Sequence, residues 1–207
     1  MNIQKQFYQA IENNDIKNIK SLLNHPKVNP ADLNNWAIRY SSDRGHYDIV
    51  KLLLNDNRVN PADLNNSAIR YASREGHYDI VKLLLNDNRV NPADNNNSSI
   101  VYAAKEGHTN IVKLLLNDNR VNPADNDNSA IIEASMEGHY DIVKLLLNDN
   151  RVNPNDYNNL AIIYASIEYY YDIVNLLWQD QRVKNTLEKN NKELYNQLIK
   201  KDKVEIF

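Results

Sequence analysis

The string Gly45-His46-Tyr47-Asp48-Ile49-Val50-Lys51-Leu52-Leu53-Leu54 returns almost unchanged, its glycine reappearing at Gly76, Gly107 and Gly138, a fixed spacing of 31 residues. A decayed copy begins at Tyr169, and another can be traced back to Asn14. Self-similarity at a period of roughly 20–50 residues marks a stacked-repeat architecture, so the period constrains the fold more than any local propensity does. A stack offers a long surface and few deep pockets, which favours binding over catalysis. The copies run through nearly all 207 residues, so one continuous solenoid is expected.

Composition removes several function classes. The net charge is −3 and the isoelectric point about 6.0, against nucleic acid as the main ligand, which would favour a basic stripe. There is no cysteine, which excludes disulfides, thiolate nucleophiles and cysteine-based zinc sites. The first residues, MNIQKQFYQAIENND, are polar and helical in pattern, unlike a signal peptide. No apolar run approaches the ~18 residues of a membrane span. The expectation is a soluble, cytoplasmic, monomeric chain without a membrane or nucleic-acid partner. Asparagine is abundant and mean hydropathy is −0.66. The asparagines cluster in loops, where they tolerate turns and left-handed φ, and their number is read as codon bias more than as chemistry.

One unit shows the local logic. Ser67 stands as N-cap before the periodic run Ala68 to Glu75, and Gly76 ends that run as a left-handed residue. His77-Tyr78-Asp79 opens a second run, in which Ile80, Leu83 and Leu84 fall at i, i+3 and i+4 on one helical face. Asp79 sits favourably in the first turn. Asn91-Pro92-Ala93-Asp94 then reads as a tight turn with proline at its second position. Each unit is therefore helix, tight loop, antiparallel helix and extended turn.

The stretch Ser67 to Leu85, SAIRYASREGHYDIVKLLL, resembles the ankyrin repeat, whose helix pair reads roughly TPLHLAAxxGHLEVVKLLL. Arg89-Val90-Asn91 is similar to that family's "DVN" step. The resemblance implies an all-α ankyrin-repeat solenoid of about six helix-turn-helix units, with shortened fingers and capping helices at both ends. Residues 1–35 form the N-terminal cap, and 36–66, 67–97, 98–128 and 129–159 the internal repeats. A degenerate repeat follows at 160–183 and a C-terminal capping helix at 184–207. Phe7, Ala10, Ile11, Ile16, Ile19, Leu22 and Leu23 make the N-terminal helix pair; Leu187, Leu194 and Leu198 pack the C-terminal helix, from Thr186 to about Lys201, on the last repeat. The period of 31 is shorter than the family's ~33 and predicts trimmed fingers. Ser67-Ala68-Ile69-Arg70 replaces the family's TPLH, which puts its buried inter-repeat hydrogen bonding in doubt. The asparagine- and tyrosine-rich style is similar to ankyrin proteins of amoebae and of the giant DNA viruses that infect them.

Two ladders invite a chemical reading and favour a structural one. His46, His77, His108 and His139 lie one repeat apart, too far for metal bonds of ~2 Å to converge. They are read as capping the tight loop. Asp32, Asp63, Asp94, Asp125 and Asp156 are likewise too separate for paired acid–base work. The resemblance implies that these aspartates order the finger through backbone groups. It also makes Asn29, Asn60, Asn91, Asn122 and Asn153 possible asparaginyl-hydroxylase targets, although a proline follows each and rigidifies the site. Neither a cofactor nor a metal is expected.

Recognition is expected on the inner face, which in the family is formed by fingertips and first helices. The tips are Leu33, Leu64, Asn95, Asn126 and Tyr157. Candidate partner-binding residues are Arg39, Tyr40, Arg70, Tyr71, Tyr102, Ile132, Glu133, Met136, Tyr157, Ile163, Tyr164 and Ile167, from columns that vary while Ile69, Ala72, Val81 and Leu84 hardly do. The N-terminal half is basic and aromatic, and the C-terminal half apolar, as hot spots are. Val101, Ile132 and Ile163 either face a partner or fill the space of the absent TPLH histidine. Tyr169, Tyr170 and Trp178 break the repeat, and either receive the C-terminal helix or extend the patch. The implied function is non-enzymatic capture of a partner protein. A ubiquitin-ligase substrate adaptor or other host-directed viral effector is the alternative, opposed by the short tail; a hydroxylase substrate or decoy is another.

Overall fold

A computed structural model describes residues 2–204, with side chains over 2–200. Helices pair in sequence: α1 (Ile3–Glu12) with α2 (Ile16–Leu23), α3 (Asp32–Asp43) with α4 (Tyr47–Leu54), α5 (Asp63–Arg74) with α6 (Tyr78–Leu85), and α7 (Asp94–Lys105) with α8 (Thr109–Leu116). The stack continues with α9 (Asp125–Met136) and α10 (Tyr140–Leu147), α11 (Asp156–Ile167) and α12 (Tyr171–Trp178), and α13 (Gln181–Asn190) and α14 (Lys192–Val204). There is no strand among the described residues. First helices pack on first helices more closely than second helices pack on second helices, so the stack curves with the first-helix layer inside.

A second helix such as α6 has eight residues, too few to stand alone in water. Asp79 in its first turn and Lys82 in its last suit the helix dipole. Stability comes from burial. Ala68, Ile69, Ala72, Ile80, Val81, Leu84 and Val90 are no more than 2% exposed, and the same positions are buried in the internal copies. Full burial of each large aliphatic contributes about 1.5–3 kcal/mol. The buried face of α6 is Ile80, Val81 and Leu84, whereas Leu83, expected on it, is only half-buried. Gly76 ends α5 at φ 81, as expected, and Asn14 at φ 53 takes the glycine's role in the first unit.

The finger is where the sequence reading needs correction. Asn91 to Asp94 forms the expected turn, with Asp94 N–H donating to Asn91 O at 3.3 Å. The chain then makes a left-handed helical turn. Leu64, Asn65 and Asn66 lie at φ 51, 56 and 54, closed by Asn66 N–H donating to Ala62 O at 2.9 Å. The same turn recurs at 33–35, 95–97, 126–128 and 157–159. Left-handed residues cost about 1–2 kcal/mol each, with asparagine the best tolerated after glycine. Ser67 is not the N-cap: the left-handed turn stands in front of it, and its hydroxyl instead donates back to Asp63 O at 3.2 Å.

Asparagine abundance is therefore chemistry at these positions. The third residue of each turn is buried: Asn66 and Asn97 are 2% exposed. Asn66 Oδ1 accepts the N–H of Asn91 at 2.8 Å, and its Nδ2 donates to Asp94 at 2.5 Å. Each finger is thus stitched to the next. Asn35, Asn97 and Asn128 repeat the pattern. The aspartate ladder serves these stitches as much as the backbone: Asp32 and Asp63 accept a backbone N–H, but every rung also accepts a side chain.

Two further series carry the inter-repeat hydrogen bonding left in doubt by the lost TPLH motif. Arg89 Nε donates to Asp87 Oδ1 at 2.9 Å and its Nη2 to Asp87 Oδ2 at 2.6 Å, while Nη1 reaches Val59 O of the preceding unit at 3.0 Å. Arg58, Arg120, Arg151 and Arg182 do the same. The arginine hydrogen bond holds the Asp56, Asp87, Asp118, Asp149 and Asp180 carboxyls below their ordinary range. The histidines do not cap their own tight loop. His77, His108 and His139 reach back with Nε2 to Asp43 O, Arg74 O and Lys105 O at 2.9, 2.8 and 2.7 Å. Their rings lie over the preceding glycines, where an added Cβ at Gly107 would stand 2.7 Å from His139 Cε1. Burial, then the nearby Arg44 charge, lowers the His46 pKa.

The ends differ in how well they were foreseen. Phe7, Ala10, Ile11 and Ile19 are buried in the N-terminal pair, and Asn2 and Asp15 cap α1 and α2. The C-terminal element is two helices, not one: the chain breaks at Asn191 (φ −144), and α13 begins already at Gln181. Asp180-Gln181-Arg182-Val183 keeps the arginine staple, but a helix replaces the last finger. Leu187 and Leu198 are buried. Trp178, 3% exposed, meets Tyr195 edge-on at 5.7 Å and so receives α14. Tyr169 and Tyr171 stay exposed. The expected run of this terminal element to 207 lies outside the described residues.

Candidate functional site

The first helices and the fingers that precede them form the inner side. Each left-handed turn lifts its first residue into solvent. Leu33 is 60%, Leu64 47% and Tyr157 58% exposed, and Asn95 and Asn126 hold the same position in the other copies. Asn95 and Asn126 are at ease at positive φ and bond the serine that opens their helix. Leu33 and Leu64 have no such reason to be there. At Tyr157 the Asp127 carboxylate of the neighbouring turn raises the hydroxyl's pKa.

Behind the tips, the arginines brace the turns. Arg39 Nε donates to Asn34 O at 2.8 Å and its Nη2 to Leu33 O at 3.1 Å. Arg70 repeats this on Asn65 O and Leu64 O, both at 3.0 Å. The pairing follows local physics, because a left-handed turn aims successive carbonyls outward. Arg39 and Arg70 are thus half-buried structural cations that still place charge at the fingers.

The tyrosine column is half-buried at Tyr40, Tyr71, Tyr102 and Tyr164. Tyr40 stacks on Trp36 at 4.8 Å, and the Arg44 guanidinium lies 5.6 Å from the Tyr40 ring centre. Arg70 and Arg74 lie 5.9 and 5.2 Å from the Tyr71 ring. The N-terminal half is basic and aromatic in space as well as in sequence. Glu133, alone in that column, pairs with Lys105 at 3.1 Å. In the C-terminal half, Ile167 is 57% exposed while Met136 and Ile163 are half-buried. Ile132 is only 9% exposed and fills the stack, so its expected place in the binding set is corrected.

The arrangement offers contact area. Among the described residues no group of histidine, aspartate or glutamate is placed to hold a metal ion. Among the described residues no helix is long and apolar enough to cross a membrane. The candidate hydroxylation asparagines are engaged. Asn91 Oδ1 accepts Ala93 N–H at 3.2 Å and its Nδ2 donates to Asp94 Oδ1 at 2.6 Å. Asn122 does the same with Ala124 and Asp125.

Sequence reasoning named Leu33 and Leu64 as tips but left them out of the binding set. The signal was present in their column, since a leucine where other copies have asparagine is a poor left-handed residue. What was not visible was that the column is left-handed.

No curated protein matches the chain. Residues 7–99 and 100–193 each match the family model for ankyrin repeats in three copies. Stacked helix pairs, glycine-closed loops, inter-repeat stitches and these two matches together place the chain in the ankyrin repeat family.

Proposed function

We propose that this chain is a non-enzymatic module that binds a partner protein along its inner face. One observation carries the reading. Leu33, Leu64 and Tyr157 occupy strained left-handed positions with about half or more of their surface exposed, where asparagine serves the fold in two sister copies. Neither folding nor solubility gains from a leucine there, and exposed apolar side chains on rigid supports are what binding hot spots use. The proposed contact set is these three tips with Arg39, Tyr40, Arg70, Tyr71, Tyr102, Glu133, Met136, Ile163, Tyr164 and Ile167. Ile132 is left out because it is buried. The basic–aromatic and apolar halves would grip different parts of one partner. A cytoplasmic location belongs to the same proposal and rests on the polar N-terminal residues and the lack of cysteine; a source among amoebae or their giant viruses rests on sequence style.

The test is capture by the wild-type chain compared with the triple variant Leu33→Asn, Leu64→Asn, Tyr157→Asn, with circular dichroism confirming the fold. Loss of the captured protein is expected. Equal capture by a folded triple variant refutes the reading. Nothing favours the ligase-adaptor or hydroxylase-substrate readings, and the bonded Asn91 and Asn122 side chains oppose the second.

A further inference from the structure

We propose that the cleft between the last two tight loops receives an arginine side chain from a basic segment of a partner protein. This site lies at the other end of the first helices from the fingertips, and its argument is independent of them.

Neighbouring tight loops leave a cleft as a regular feature of the stack. Between the loops at Gly76 and Gly107 it measures about 360 Å³, and its lining includes Tyr78, Gly107, His108 and Thr109. Two repeats later the same cleft, about 310 Å³, is lined at the equivalent positions by Tyr140, Tyr169, Tyr170 and Tyr171, with Asp172 at its rim. The repeat's glycine and histidine have become Tyr169 and Tyr170, beside Tyr171, which keeps the tyrosine of Tyr47, Tyr78 and Tyr140.

The change is not explained by packing. Tyr169 sits at φ 61, in the register where every internal copy has glycine, and is 72% exposed. A bulky residue at positive φ is a genuine outlier, and strain of that kind persists where it serves a site. Tyr169 and Tyr171 meet edge to face at 6.3 Å, and the Tyr170 ring covers Gly138 where internal copies place histidine. The result is an aromatic wall on an open cleft.

The charge in the cleft is negative. Asp172 lines it and no lysine or arginine does. Asp172 is exposed and joins no ion pair among the described residues. Tyrosine faces attract cations, and a carboxylate rim adds to that attraction. Arginine fits better than lysine because its planar guanidinium can stack on a ring while bonding a carboxylate.

The experiment uses the full chain and a fluorescein-labelled arginine–serine peptide, read by fluorescence anisotropy. Saturable binding that weakens with salt is expected. Tyr169→Gly restores the repeat's own residue and so keeps the fold; it should weaken binding about tenfold. Asp172→Asn should weaken it too and flatten the salt dependence, while Asn57→Ala, at an exposed neutral position away from the cleft, should leave it unchanged. The proposal is overturned if the peptide does not saturate the wild type, if Tyr169→Gly and Asp172→Asn bind as well as wild type, or if Asn57→Ala costs as much as they do.

Discussion

Asn96→Ala and Asn97→Ala change neighbouring asparagines of one left-handed turn, at φ 57 and 55, yet they should differ sharply in cost. Both lose asparagine's tolerance of positive φ, about 1 kcal/mol. Asn96 is exposed, so its cost should end there. Asn97 is 2% exposed, and its Oδ1 accepts Asn122 N–H at 2.9 Å while its Nδ2 donates to Asp125. Alanine leaves both partners without it in a partly buried joint, at about 1–3 kcal/mol each. Taking the lower end because water can enter, Asn97→Ala should cost about 3 kcal/mol against about 1 for Asn96→Ala. Urea unfolding at fixed pH reads this, with the slope checked because repeat arrays can depart from two-state behaviour. Equal losses for the two variants would refute the asparagine stitch as a stabilising contact.

The other expectations concern the remaining series. The Asp56, Asp87, Asp118, Asp149 and Asp180 carboxyls are held low in the folded chain. Their contribution is therefore present above the ordinary carboxylate pKa of about 3.9 and is lost as pH falls through the folded values. A urea midpoint that drops in acid should drop less steeply in Asp118→Asn. His46 is also lowered in the folded chain, so its contribution is present above about pH 6.5 and fades below it, a step that His46→Gln should remove. Gly107→Ala meets φ 79 and a contact of 2.7 Å with the His139 ring, which is bonded to Lys105 O. It should cost about 2 kcal/mol in urea unfolding, from backbone strain and the weakened histidine bond.

The period made the stack legible, because identical core columns at fixed spacing admit few other arrangements. Ile69, Ala72, Val81 and Leu84 are buried as the copies implied. The joints were not legible. Asn66 is one asparagine among many in the string, and only the backbone shows that it points at Asn91 and Asp94 of the next unit. The Asp-x-Arg spacing of Asp87 and Arg89 was visible, but its reach to Val59 depends on how closely units pack. Ile132 was misread for the same reason: a column beside the core can turn in or out by a small rotation. An Ile132→Asp substitution would bury a carboxylate and disturb the stack, so it cannot probe the binding face.

The account rests on Leu33 serving recognition at the fold's expense. Urea unfolding of Leu33→Asn against wild type tests this without knowing the partner. The side chain is 60% exposed at φ 54, and asparagine accepts that backbone better, so stability should stay level or rise by up to about 1 kcal/mol. A loss of more than about 1 kcal/mol would mean that Leu33 works for the fold, and the observation carrying the binding reading would be gone.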